Sequence, residues 1–127
     1  MIGSRISALV AVIGVPVVMS APTAHAADAV TYGVVSESIS MMNGIEYVDS
    51  TGRKLIQNVP LPWRLGVTLD DAGGPTGRGA QLRADWRPTA APSRWVVVSI
   101  SSNGKLLCRS ALDVGNATCY GNTPYIN

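Results

Sequence analysis

The chain has 127 residues, 46% of them hydrophobic and 6% aromatic, with no phenylalanine and a formal charge of +2. Ten Lys plus Arg are spread thinly against eight Asp plus Glu, so no dense basic stripe exists to neutralise phosphates, and nucleic-acid binding is argued against. The length left after any leader fits one domain and not two.

Met1 to Arg5 carry one positive charge, Ile6 to Met19 are almost wholly apolar, and Ala24-His25-Ala26 places small residues three and one before a cut. This pattern predicts a secretory signal peptide over residues 1–26, a single domain over 27–127, and export to the cell envelope or the medium. The alternative is an uncleaved membrane anchor, because Ile6 to Ala21 nearly reaches the roughly 17 to 25 residues of a spanning helix, although Pro16 and Pro22 disfavour it. Cleavage after Ala26 removes His25, the only histidine, and with it any imidazole chemistry. It also removes Arg5, leaving nine Lys plus Arg against eight Asp plus Glu.

Beyond the leader, apolar residues alternate with period two, the signature of half-buried strands. Strands are expected around Val30 to Val35, Ile45 to Val48, Leu55 to Val59 (in ambiguous register) and Arg64 to Leu69. Ala80 to Trp86 is the clearest case, with Ala80, Leu82, Ala84 and Trp86 on one face and Gln81, Arg83 and Asp85 on the other. Arg94 to Ser101, Leu106 to Ala111 and Ala117 to Tyr120 complete the set. Turn chemistry separates them at Asp49 to Gly52, Asp70 to Pro75, Pro88 to Pro92 and Asn103-Gly104, and Gly73 to Gly79 is expected to be a mobile loop. About seven or eight short strands at this spacing predict an immunoglobulin-like antiparallel β-sandwich.

Catalytic-looking fragments are better explained as turns. Ser102-Asn103-Gly104-Lys105 fits S-x-x-K, but that chemistry starts a helix at the serine, whereas Asn-Gly demands a hairpin. Gly73 to Gly79 lacks the G-K-[ST] ending of a phosphate cradle. Asp70 and Asp71 are adjacent and point opposite ways in extended chain, a poor metal site. No nucleophile, base and orienting group come together in the sequence, so the expectation is no enzyme, no metal and no cofactor.

Strand phase sorts the tryptophans. Trp86 shares a face with Leu82 and Ala84, and Trp63 with Leu65, Val67 and Leu69, so both are expected inside. If Val96, Val98 and Ile100 face the core, Trp95 and Val97 face outward beside Arg94. Such a stripe would be a contact surface for a protein, a lipid or a membrane, unless the strand is covered on both faces. Cys108 and Cys119, the only cysteines, are expected to form a disulfide in an exported protein. With Asp113-Val114 at a hairpin tip, each cysteine lies five residues from the tip, and the bond would join facing positions of one ladder.

One group of landmarks is not explained by alternation alone. Tyr47-Val48-Asp49 with Gly52, then Val59-Pro60-Leu61-Pro62-Trp63, the Asn103-Gly104-Lys105 hairpin and a late Cys119 together resemble the extracytoplasmic domain of the MmpS family, small mycobacterial membrane proteins. The resemblance spans most of Val30 to Tyr120 and rests mainly on Tyr-x-Asp-x-x-Gly followed by Leu-Pro-Trp. It implies a β-sandwich that serves as a non-enzymatic accessory of an MmpL-type exporter of lipids or siderophores. It marks Tyr47, Asp49, Gly52, Leu61, Pro62 and Trp63 as residues that shape the domain. The other expectation is a freely secreted binding module for a host or envelope ligand.

Overall fold

A computed structural model describes residues 26–75 and 78–122. The expected signal peptide, His25 included, lies outside the described residues, apart from Ala26. Eight strands follow in order: β1 (Asp28–Val35), β2 (Met41–Asp49), β3 (Gly52–Pro60), β4 (Trp63–Leu69), β5 (Gln81–Asp85), β6 (Val96–Ser102), β7 (Lys105–Leu112) and β8 (Asn116–Tyr120). Every expected strand is present, most of them a few residues longer than the alternating runs. They form two antiparallel four-stranded sheets, ordered β4-β1-β6-β7 and β3-β2-β5-β8, which pack as a β-sandwich around one core.

The period-two runs decide which face is buried. In the first sheet Val30, Tyr32 and Val34 of β1 lie directly beside Ser102, Ile100 and Val98 of β6. In the second, Leu82 and Ala84 of β5 lie beside Tyr47 and Ile45 of β2 and Cys119 and Ala117 of β8. Trp86, Tyr32, Met42, Ile45 and Leu82 are the largest side chains fully removed from water. Trp63 follows the expected phase but is only half-buried, because β4 is an edge strand and has no neighbour on one side.

The start of β2 is hidden from alternation. Pairing between β2 and β3 lapses at Asn43 and Asn58, where Asn58 has φ of 56°. Both strands change face together there, so Met42 and Val59 turn inward three residues from the inward Ile45 and Ile56. That resolves the register of β3, in which Ile56 faces in and Leu55 is 57% exposed.

The disulfide forms, but not within a hairpin. Cys108 and Cys119 are bonded with Cα atoms 5.8 Å apart, yet β7 pairs only with β6 and β8 only with β5. The chain crosses from one sheet to the other at Asp113 to Gly115, so the bond staples the two sheets together along one side of the sandwich. Gly115 has φ of 103°, a left-handed conformation suited to glycine, and its carbonyl accepts from the Trp86 amide at 2.7 Å. That corner sends β8 away from β7.

Antiparallel registers give the sandwich two ends. Asp28, the 49–52 turn, the 70–80 connection and Asn103-Gly104 share the end where β1 begins. The 36–40, 61–62, 86–95 and 113–115 connections share the far end. Eight residues of β1 separate the ends by about 26 Å. The 70–80 connection is tied down among its described residues. Ala72 is 1% exposed, its amide donates to Asp28 Oδ2 at 2.9 Å, and its carbonyl accepts from the Ala80 amide at 2.9 Å. Thr76 and Gly77, within the run expected to be mobile, lie outside the described residues.

Candidate functional site

The outward Trp95 expected from strand phase is outward. Val96, Val98 and Ile100 are 0% exposed, while Trp95 immediately before β6 is 51% exposed. Val97 is half-buried, paired on the outer face with Val35 of β1 and Ala111 of β7. Trp95, Val97 and Val35 therefore form an apolar patch at the far end of the first sheet.

The main chain under this patch is fixed while the ring stays in water. Ser36 Oγ donates to the Trp95 carbonyl at 2.6 Å and accepts the amides of Ser38 and Ile39, so one hydroxyl joins the 36–40 connection to the strand entry. Arg94 Nη2 donates to the Ser38 carbonyl at 2.5 Å, and the Ser93 amide donates to Asp113 Oδ2 at 2.8 Å. Of the three residues expected at this surface, Trp95 and Val97 present apolar area. Arg94 sits on the rim with its charge partly engaged within the protein. A tryptophan on a pre-ordered backbone loses little freedom on binding, which is why such residues recur as interface anchors.

Two clefts of about 460 Å³ each lie elsewhere. The first, at the end where β1 begins, is bordered by Val48, Asp49, Leu69, Asp70, Asp71 and Arg78. Among the described residues no group of three or more His, Cys, Asp or Glu is placed to hold a metal ion. The second lies on the outer face of the second sheet and is bordered by Glu46, Leu55, Gln57, Arg83, Asp85 and Arg87. Glu46 lies directly across from Arg83 there, and opposed charges of this kind read as a solvated sheet face.

The residues singled out by the family resemblance shape turns and core and do not converge on a site. Tyr47 is the middle ring of a chain, its centroid 5.9 Å from Tyr32 on one side and 5.9 Å from Trp63 on the other. Asp49 closes the β2–β3 turn by accepting the Thr51 amide and hydroxyl, each at 2.8 Å. Lys54 Nζ lies 3.4 Å from the same Oδ1 and also contacts Thr51 Oγ1. The hydroxyl and amide of Thr51 together hold the Asp49 carboxyl below its ordinary value of 3.8. Gly52 has φ of 119°, which explains a glycine at that turn position. Leu61, half-buried against the core, precedes Pro62 through a cis bond and leads the chain from the second sheet into Trp63 of the first.

The S-x-x-K fragment is a hairpin: Ser102 pairs with Lys105, while Asn103 and Gly104 have φ of 52° and 82°, matching a type I′ turn.

Sequence reasoning missed Tyr32 as a polar element of the core. Its hydroxyl donates to the Val48 carbonyl and accepts the Gln81 amide, and burial raises its pKa above 10.0 despite those bonds. The signal was present in Val30-Thr31-Tyr32-Gly33-Val34, because a tyrosine on the inward face of a core strand needs a partner for its hydroxyl. No family model matches the chain, and no curated protein matches it in sequence.

Proposed function

We propose that this protein is an exported, non-enzymatic accessory of an MmpL-type exporter in the cell envelope, engaging the exporter or its lipid or siderophore cargo through the patch of Trp95, Val97 and Val35. The observation that carries this reading is the half-exposed Trp95 on a clamped backbone, an aromatic anchor of the kind that recurs at the centre of interfaces. The Tyr-x-Asp-x-x-Gly and Leu-Pro-Trp landmarks, which here build the β2–β3 turn and the crossover into β4, support the family side of the reading. The patch lies at the end of the sandwich opposite Asp28, so a chain held at the membrane by its N-terminus would present Trp95 outward, towards a partner's extracytoplasmic portion.

The test is recovery of an affinity-tagged form from producing cells after crosslinking. Co-isolation of an MmpL-type transporter with the wild type, lost in Trp95→Ala, supports the proposal. Clean absence of the transporter with the wild type contradicts it. A second reading, a freely secreted binding module using the same patch, is favoured by the Ala24-His25-Ala26 sequence. Intact mass separates the two: a species beginning at Ala27 recovered chiefly from culture fluid favours the secreted module, and a membrane-bound species favours the accessory.

A further inference from the structure

Four strands lie at sheet edges, and three of them are blocked. In β3 the ladder is interrupted at Asn58 and ends in Pro60. In β7 a register irregularity lies opposite Ile100/Ser101, and Cys108 ties the strand to β8. β8 has only five residues and holds the other cysteine. Bulges, prolines, short length and covering connections are the ordinary means of protecting a sheet edge. Among the described residues β4 has none of them: its ladder to β1 runs without interruption from Asp28↔Leu69 to Val34↔Trp63, with Arg64 as the strand's only charge.

The hydrogen-bonding phase of that edge follows from β1. Ala29 is the register partner of Thr68, yet its amide donates to Asn103 Oδ1 at 2.9 Å and its carbonyl accepts the Asn103 amide at 2.8 Å. Ala29 thus turns both groups away from β4. By the alternation of an antiparallel ladder, Arg64, Gly66 and Thr68 direct their amides and carbonyls outward from the edge. All three are exposed, Gly66 as bare main chain.

We propose that β4 is a self-association edge, pairing antiparallel with β4 of a second copy of this chain about a twofold axis at Gly66. In that register Gly66 faces Gly66, and Arg64 faces Thr68 of the second copy. On the core side Leu65 faces Val67 and Trp63 faces Leu69, extending across the join an apolar row that is half-buried at Trp63, Leu65 and Val67 and buried at Leu69. No like charges meet. Asp70, exposed at the bend that follows Leu69, comes beside the second copy's Arg64, within reach of a long side chain. That pair occurs twice by symmetry. In the single chain the Arg64 guanidinium lies over Gly33, from where it swings to the edge. The first sheet becomes one eight-stranded sheet, and the Trp95 patches stay uncovered, so this inference stands apart from the transport reading.

The test is sedimentation equilibrium of the protein purified as cells produce it, with five variants. The wild type is expected to dimerise. Arg64→Asp weakens the dimer by roughly tenfold by making both pairs with Asp70 repulsive, and Arg64→Asp with Asp70→Arg restores it. Thr68→Pro removes an amide its own sheet does not use, leaving the fold intact by circular dichroism and the chain monomeric. A Cβ at Gly66 meets only the Val30 carbonyl at 3.9 Å, so Gly66→Cys is accommodated and oxidises to a covalent dimer across the axis. Thr68→Cys, facing Arg64, does not. A chain monomeric up to millimolar concentration overturns the proposal, as does a dimer that survives Thr68→Pro without a Gly66→Cys crosslink. A monomer that instead takes up an extended peptide along β4 overturns it as well.

Discussion

The Tyr32 hydroxyl lies 2.6 Å from the Val48 carbonyl, donating across the sandwich from one sheet to a strand of the other. The ladder between β2 and β5 runs from Gly44↔Asp85 to Tyr47↔Leu82, and Val48 and Gln81 are next in line but do not pair with each other, their partners being Arg53 and Tyr120. Tyr32 takes the place of the missing rung, since its oxygen also accepts the Gln81 amide at 3.3 Å. One phenol therefore fixes where β2 and β5 part and ties both to β1. Tyr32→Phe is expected to lower stability by about 1–3 kcal/mol, the cost of leaving buried backbone groups without a partner. Urea denaturation measures it, with an unchanged m-value showing that the same fold is lost.

The same phenol sets an alkaline limit. Burial raises the folded-state pKa of Tyr32 above 10.0, so its contribution to stability is fully present below pH 10 and is lost as pH rises from there through the folded-state value. Tyr32→Phe should flatten the alkaline limb of a stability profile relative to wild type. An equally steep limb would place the alkaline sensitivity elsewhere.

Asp49 acts at the other extreme. Its pKa is held below 3.8 by the Thr51 hydroxyl and amide, so its stabilising effect is present above pH 3.8 and is lost as pH falls through the lower folded-state value. Asp49→Asn should give a shallower acid limb than wild type in equilibrium denaturation.

The bond between Cys108 and Cys119 closes a separation of 11 residues, and constraining the unfolded chain to that extent is worth about 3 kcal/mol. Cys108→Ala with Cys119→Ala should therefore lower the unfolding free energy, measured by denaturant titration, by about that amount. Because the bond joins two sheets, the double variant should also lose hydrogen-exchange protection in β8 before β5. Uniform loss would indicate that β8 is held by its ladder alone.

Trp95 and Trp86 separate surface from core. Trp86 is 0% exposed, and Trp86→Ala should cost about 3–5 kcal/mol. Trp95→Ala, at 51% exposure, should cost about 1 kcal/mol or less. A large destabilisation by Trp95→Ala would make it a structural residue and remove the candidate binding surface.

The strands were legible because Ala80 to Trp86 and Val96 to Ile100 alternate strictly, and a sheet with one wet face forces that alternation. The outward Trp95 followed from the same phase. The disulfide partners were legible from their number, two cysteines being the simplest pair. Their placement across the sheets was not, because a loop of the same length serves a hairpin or an inter-sheet corner, and the left-handed Gly115 packed on Arg87 decides between them. The role of Tyr32 depends on where two distant strands diverge. The start of β2 was hidden because Asn43 and Asn58 break the period where Met42 and Ile45 both face in.

The most direct test of the binding surface is site-specific photocrosslinking in producing cells, with the photoreactive side chain placed at Trp95 or, in a separate strain, at Leu55 on the opposite sheet. The proposal predicts an adduct with an MmpL-type transporter or its cargo from position 95 and none from position 55. No adduct from position 95, or equal adducts from both, would contradict it.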